Sequence, residues 1–124
     1  MAKILIVDDS SLSRRILRTI LIAEGHNIIE ATDGLVGIET YVMEQPDLVL
    51  LDMAMPGLPG DEVLEKILEV NQAARIIIAT ADLQDLTKTK VLEAGAMGFV
   101  NKPFNRTKVL EVVNQVLSST PQVL

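Results

Sequence analysis

The chain has 124 residues, the size of one domain, and 48% of them are hydrophobic, which is enough to bury an aliphatic core. Its formal net charge is -6 and its Lys and Arg residues form no cluster, which argues against nucleic-acid binding because phosphate contacts need clustered cations. The absence of cysteine and the single histidine exclude disulfides, thiolate sites, cysteine nucleophiles and a histidine metal cage. We find no signal peptide and no membrane-length apolar run, so we expect a soluble cytoplasmic domain without membrane insertion.

Five short apolar runs of strand length are spaced along the chain. They are Lys3 to Val7, Asn27 to Ala31, Leu48 to Leu51, Ala74 to Ala79 and Gly98 to Asn101. A helical pattern follows each run, and this alternation predicts an α/β fold, a parallel sheet with helices on both faces. Right-handed crossovers favour the strand order 2-1-3-4-5 in three layers, which is doubly wound and flavodoxin-like. We expect one domain over residues 1–124, with a core of about 3–118 and a frayed tail.

The helical segments are bounded by residues that start or stop helices. Ser10, Ser11 and Ser13 offer N-caps for the first helix, and Gly25 ends it. The positions expected to face the core in the first three helices are Leu12, Ile16, Leu17, Ile20, Leu21, Leu35, Ile38, Val42, Val63, Leu64, Ile67, Leu68 and Val70, with Tyr41 as a further candidate. The fourth helix is the weakest because Thr87 to Lys90 is polar. The last helix should bury Val109, Leu110, Val113, Val116 and Leu117.

Polar side chains stand where the predicted strands end. Asp8 and Asp9 follow the first strand, Asp52 the third, Thr80 the fourth and Lys102 the fifth. The first and third strands are neighbours at the switch point of this order, so three carboxylates converge in one crevice. Close carboxylates need a cation, and oxygen ligands with room for water suit Mg2+. With a lysine and a hydroxyl nearby, these groups can hold a phosphoryl group, and a carboxylate can be its nucleophile.

Four stretches together resemble a known family. They are Ile-Leu-Ile-Val-Asp-Asp-Ser at 4–10, Asp-Leu-Val-Leu-Leu-Asp-Met-Ala-Met-Pro-Gly at 47–57, Ile-Ile-Ile-Ala-Thr-Ala at 76–81 and Ala-Gly-Ala-Met-Gly-Phe-Val-Asn-Lys-Pro-Phe at 94–104. In this order and at strand ends, they are similar to the response-regulator receiver domain of two-component signalling, over essentially the whole length. The stretch Asp-Asp-Ser-Ser-Leu-Ser-Arg-Arg resembles the stand-alone chemotaxis-type members.

The resemblance implies a role for each acidic residue. Asp52 would be the phosphoacceptor, and the phosphoryl group would come from a sensor histidine kinase or a histidine phosphotransfer protein. Asp9 and Asp52 would bind Mg2+ directly together with the backbone carbonyl of Ala54, and Asp8 would act partly through water. The chain would catalyse only its own phosphorylation and dephosphorylation, so we expect that it is not an enzyme on other substrates.

The resemblance also implies a conformational switch. Thr80 and Lys102 would contact the phosphoryl oxygens, Thr80 would move toward them, and Phe99 would turn inward. The face made by the fourth helix, the fifth strand and the fifth helix would then bind a downstream protein, in chemotaxis or an intermediate phosphorelay step. Ala54 and Asp82 occupy positions that tune phosphoryl lifetime, and the apolar Ala54 predicts slow self-dephosphorylation. We expect a monomer or weak dimer.

Plainer interpretations of the same residues stay open. Asp8 and Asp9 could simply cap the first helix, and Phe99 could be core packing. Arg14 and Arg15 are expected to be solvated or to meet an acidic partner, and the Lys102–Pro103 bond could be cis. Three other functions are alternatives: a pseudo-receiver that binds partners without phosphate, a small Mg2+-dependent phosphatase with an aspartyl nucleophile, and a flavodoxin-like FMN carrier.

Overall fold

Five apolar segments form one parallel sheet in the computed structural model of the chain. The strands are β1 (Lys3–Val7), β2 (Asn27–Ala31), β3 (Leu48–Asp52), β4 (Ile76–Thr80) and β5 (Gly98–Asn101). Their order is β2-β1-β3-β4-β5, which confirms the predicted doubly wound, flavodoxin-like α/β fold. The structure describes residues 1–81 and 85–119, and of residues 85–88 it describes the backbone alone.

Three strand boundaries differ from the prediction. β3 continues for one residue more, so Asp52 is part of the sheet rather than the first residue of the loop. β4 begins at Ile76 instead of Ala74, because the Ala74 N–H donates to the Asn71 carbonyl in a turn after the preceding helix, and it ends at Thr80 instead of Ala79. None of these shifts changes which residues lie at the carboxyl edge of the sheet.

In the described part of the chain, four helices connect the strands, a fifth follows β5, and together they cover both faces of the sheet. They are α1 (Ser11–Ile22), α2 (Gly34–Glu44), α3 (Gly60–Val70), α4 (Asp85–Glu93) and α5 (Arg106–Ser118). α1 begins at a predicted cap, since Ser10 Oγ accepts a hydrogen bond from the Ser13 N–H at 3.2 Å. Gly95 follows α4 with a φ of 114°, a conformation that glycine adopts without steric cost. None of the helices in the described ranges is long and apolar enough to cross a membrane.

The core consists of two apolar layers, one on each face of the sheet. α2, α3 and α4 cover one layer, and α1 and α5 cover the other. The predicted inner residues of α5 are borne out, because Val109, Val113 and Val116 are buried and Leu110 and Leu117 pack against the same layer. The residues of β3 and β4 are all buried, so the polar groups at their ends are held by a rigid apolar support.

The predicted inner faces of the first three helices are partly wrong. Leu12, Ile16, Leu35, Val42 and Val70 are exposed. In α1 the buried stripe is Leu17, Ile20 and Leu21, and Ile16 lies about 100° around the helix from Leu17. Val70 is exposed because it closes the last turn of α3.

Glycine rather than leucine marks the inner face of α2. A Cβ atom on Gly37 would lie 2.9 Å from both Cγ atoms of Val7, and one on Gly34 would lie 2.6 Å from Val63 Cγ2. The helix therefore lies so close to β1 and α3 that side chains do not fit at these positions. Tyr41, named above as a further candidate, is buried on the same face.

Candidate functional site

The polar residues predicted at the strand ends lie together at the carboxyl edge of the sheet. Asp8 directly follows β1, Asp52 ends β3, and Thr80 ends β4, while β3 pairs with both β1 and β4. Among the described residues, Asp8, Asp52 and Thr80 are the buried polar side chains, exposed by 1%, 3% and 6%. The topology of the sheet thus brings these groups to one place at the end of a largely aliphatic core.

Three carboxylates form a cluster at this edge. Asp8, Asp9 and Asp52 each offer an oxygen, and these oxygens lie within 4.8 Å of one another. Asp9 is exposed, so the cluster opens to solvent on one side. Asp8 Oδ1 accepts a hydrogen bond from the Ser10 N–H at 2.9 Å, and the buried Asp8 Oδ2 lies 3.0 Å from the Lys102 ammonium. The three side chains offer carboxylate oxygens on a side open to solvent, and a hard divalent cation would relieve the repulsion between them, so the residues fit Mg2+.

Lys102 supplies a fixed positive charge to the cluster. Its Nζ lies 3.0 Å from Asp8 Oδ2 and 3.4 Å from Asp52 Oδ1. The Lys102 N–H donates to the Thr80 carbonyl at 2.9 Å, which holds the lysine backbone beside the end of β4. Burial alone would lower the pKa of Lys102, but the two adjacent carboxylates outweigh burial and raise it, so the ammonium stays charged. The Lys102–Pro103 peptide bond is cis.

Asp52 is a carboxyl group whose charged form is disfavoured by its surroundings. Burial raises its pKa above the ordinary value, and the negative charge of Asp8 raises it further. The Ala54 N–H, 3.2 Å from Asp52 Oδ1, and the Lys102 ammonium oppose this shift without cancelling it. A further cation at the cluster would favour the carboxylate, which is the nucleophilic form.

Comparison with known proteins places the chain in a family. The model of the response regulator receiver domain matches residues 4–114. The chain belongs to this family. It is 37% identical over 117 residues to the chemotaxis protein CheY of Bacillus subtilis, covering 94% of this chain and 98% of the relative. It is also 37% identical over 117 residues to sporulation initiation phosphotransferase F of Bacillus subtilis, covering 93% of each chain.

A solved structure supports the same assignment. The receiver is similar to a chain of the CheX-CheY-BeF3-Mg+2 complex from Borrelia burgdorferi, with 36% identity and a TM-score of 0.91. The match covers 94% of this chain and 90% of that one. The chain is therefore a CheY-like receiver domain of two-component signalling, and receiver domains bind Mg2+ through acidic residues of the kind clustered here.

The predicted switch residues lie on β4 and β5, the two strands that follow β3 toward one edge of the sheet. Phe99 in β5 is partly buried and packs against the apolar layer under α2, α3 and α4. It also lines a groove of about 450 Å3 between β5 and α5. The movements of Thr80 and Phe99 remain predictions, as does the Ala54 carbonyl as a metal ligand. Asp82 lies outside the described residues, so its effect on phosphoryl lifetime also remains a prediction.

Sequence reasoning missed one residue of this region. Arg14, expected to be solvated, has a side chain only 15% exposed, and its Nη1 donates to the Asp8 carbonyl at 2.7 Å. Its Nε donates to Glu30 Oε1 in β2 at 3.0 Å. The contact joins the β1–α1 loop, α1 and β2, and no local pattern in the sequence reports such a three-way contact.

Proposed function

We propose that Asp52 accepts a phosphoryl group, in a Mg2+-dependent reaction, from a phosphohistidine of a sensor histidine kinase or a histidine phosphotransfer protein. The observation that carries this proposal is the position of the Asp52 carboxylate, which lies 3.4 Å from the Lys102 ammonium and within the three-carboxylate cluster. An Asp52 oxygen forms the new P–O bond as the P–N bond breaks, and the leaving imidazole nitrogen keeps the electron pair. Such a transfer needs mainly in-line positioning and charge neutralisation.

Each residue at the sheet edge has a part in this reaction. Asp8, Asp9 and Asp52, with the predicted carbonyl of Ala54, would hold Mg2+, which when bound neutralises charge on the phosphoryl oxygens. Lys102 offers a second cation, placed by its ion pairs with Asp8 and Asp52. Ala54 offers no polar side chain to orient an attacking water, which supports slow loss of the phosphoryl group.

The output of the reaction would be a change on the face made by α4, β5 and α5, which would bind a downstream protein. Thr80 pairs with Asn101 in the sheet, and Phe99 lies two residues before Asn101 at the groove between β5 and α5. A phosphoryl group on Asp52 that draws Thr80 toward it would therefore act on the strand that carries Phe99. The names of the relatives support a place in chemotaxis or in an intermediate phosphorelay step.

We also propose a cellular location, an oligomeric state and a substrate range for the protein. We place its action in the cytoplasm, where an ATP-dependent kinase would supply the phosphohistidine. The protein would act as a monomer or weak dimer and would turn over no substrate other than its own phosphoryl group.

Intact-mass measurement after incubation with phosphoramidate, a P–N donor, tests the proposal. We expect one phosphoryl adduct with Mg2+, at least about tenfold less adduct in EDTA, and none in Asp52→Asn. Asp47→Asn is the matched control because Asp47 lies at the opposite end of β3, where asparagine still accepts the hydrogen bond from the Lys3 N–H. This control should keep the adduct.

Two results would contradict the proposal. No adduct on the wild type with Mg2+ and either phosphoramidate or acetyl phosphate would favour the pseudo-receiver. Steady hydrolysis of a phosphate ester such as p-nitrophenyl phosphate that depends on Asp52 would favour the phosphatase.

A further inference from the structure

The guanidinium of Arg14 connects two parts of the molecule through bonds that point in different directions. Nη1 donates to the main-chain carbonyl of Asp8 at 2.7 Å, and Nε donates to Glu30 Oε1 at 3.0 Å. Both side chains are largely shielded from solvent, with exposed fractions of 15% for Arg14 and 29% for Glu30. Because the guanidinium is planar and rigid, fixing one edge on Glu30 also fixes the nitrogen that meets Asp8.

The carbonyl that Arg14 contacts belongs to the peptide between two acidic residues of the cluster. Three other contacts hold Asp8 itself: its N–H donates to the Ala31 carbonyl at 3.1 Å, its Oδ1 accepts from the Ser10 N–H at 2.9 Å, and its Oδ2 lies 3.0 Å from the Lys102 ammonium. The bond from Arg14 adds a fixed point on the peptide that leads to Asp9. Rotation of this peptide would turn the exposed Asp9 away from Asp8 and Asp52, so its orientation decides whether the three carboxylates converge.

We propose that Arg14, anchored by Glu30, is a positioning residue that fixes the Asp8–Asp9 peptide and thereby organises the carboxylate cluster for Mg2+. The inference rests on the proposed function, since that function gives the cluster its role. Arg14 would support the metal site without contacting the cation or the phosphoryl group. Glu30 is suited to be the anchor because it is part of the sheet, paired in register with Ile6 of β1.

Charge and geometry predict opposite changes in Mg2+ affinity when Arg14 is replaced. Arg14 is a cation near three carboxylates, so it repels Mg2+. If this charge effect acted alone, removing Arg14 would tighten Mg2+ binding. As a positioning residue, Arg14 supports the metal site, and its removal should weaken binding. Residues that orient metal ligands from outside the ligand shell typically contribute about 10–100-fold in metal affinity.

The experiment compares Mg2+ affinity, by titration calorimetry of the metal-free protein, in Arg14→Met, Arg14→Lys and Arg18→Met. Arg18 is the matched control because it lies one turn further along α1 and donates to the other oxygen of Glu30, at 3.3 Å. We expect Arg14→Met to weaken Mg2+ binding about tenfold and Arg18→Met to change it less than about twofold. Arg14→Lys should lose nearly as much Mg2+ affinity as Arg14→Met, because an ammonium lacks the planar fork that reaches both acceptors.

A second readout uses the metal-free protein and does not depend on Mg2+. The amide NMR signal of Asp9 belongs to the peptide that Arg14 holds, so it should shift, and its hydrogen exchange should quicken, in Arg14→Met but not in Arg18→Met. Glu30→Gln, which keeps the shape of the anchor but removes its charge, should weaken Mg2+ binding in the same direction by a smaller factor. Urea unfolding of each variant separates these effects from a general loss of stability.

The inference and the proposed function fail in different ways. Wild-type-like or tighter Mg2+ binding in Arg14→Met, or full recovery by Arg14→Lys, would overturn the role of Arg14 while leaving phosphorylation at Asp52 intact. A wild type that neither binds Mg2+ nor takes up a phosphoryl group would overturn the proposed function and this inference with it.

Discussion

Lys102→Met is expected to lower the free energy of unfolding of the metal-free protein by about 3 kcal/mol, because it removes the cation from two buried carboxylates. Lys102 Nζ lies 3.0 Å from Asp8 Oδ2 and 3.4 Å from Asp52 Oδ1. The carboxylates are almost fully buried, whereas the lysine side chain is 21% exposed. Solvent therefore screens part of the interaction, which places the loss at the lower end of the range for broken buried ion pairs.

Urea unfolding in EDTA at neutral pH measures this loss. Lys108→Met is the matched control because its ammonium is exposed and lies 4.0 Å from Glu111, an arrangement expected to contribute within about 0.5 kcal/mol. Mg2+ should restore part of the stability of Lys102→Met, since it neutralises the same carboxylates. The rate of phosphorylation by phosphoramidate should fall about a hundredfold in Lys102→Met at saturating Mg2+. Equal stability changes in the two lysine variants would contradict this account of the cluster.

Asp52→Asn is expected to have the opposite effect on stability: it should raise the free energy of unfolding of the metal-free protein at neutral pH by more than the roughly 0.5 kcal/mol typical of surface substitutions. The reason is that burial and the charge of Asp8 disfavour the Asp52 carboxylate and raise its pKa. Asparagine has nearly the same shape and still accepts the hydrogen bond from the Ala54 N–H. It carries no charge that must be buried.

The pH dependence of this gain has a definite sign. Because folding raises the pKa of Asp52 from 3.8, this carboxyl group is more protonated in the folded wild type than in the unfolded chain above that value. The contribution of Asp52 to stability therefore falls as pH rises through the window between its unfolded and its folded pKa. Asparagine does not titrate, so the advantage of Asp52→Asn should be smallest below the unfolded pKa, grow through this window and then level off.

Urea unfolding of wild type and Asp52→Asn across this pH range, with and without Mg2+, checks both claims. Saturating Mg2+ should reduce or reverse the advantage of Asp52→Asn, because the cation stabilises the folded wild type by mass action and the variant lacks one ligand. Glu69→Gln removes an exposed charge from α3 and serves as the control, with little change at any pH. A less stable Asp52→Asn in EDTA at neutral pH would contradict the raised pKa.

The sheet and the position of its polar edge could be predicted because each strand carries its own signal. The apolar runs at Ile4 to Val7, Leu48 to Leu51 and Ile76 to Ala79 are short and uninterrupted, as expected for strands buried on both faces. Each run ends at a polar residue, and the rules of parallel topology then bring those residues together. The site follows from the fold without any knowledge of side-chain packing.

Features that depend on packing between elements could not be predicted in the same way. The inner face of α2 is determined by Gly34 and Gly37, and a search for apolar side chains at helical spacing cannot predict a face made of glycine. The structure also places Lys102 closer to Asp8 than to Asp52, although strand order alone puts the lysine nearer to β3 than to β1. The length and flexibility of a lysine side chain explain this difference, since its ammonium reaches across the end of β4.

Chemical trapping of the phosphoryl group can show whether Asp52 is the residue that carries it. Borohydride reduces an acyl phosphate to an alcohol, so treating the phosphorylated wild type should convert the acceptor aspartate to homoserine, which peptide mass spectrometry can locate. We expect homoserine at position 52, formed only when Mg2+ was present during phosphorylation. Homoserine at Asp8, Asp9 or any other aspartate, with Asp52 unchanged, would contradict this expectation.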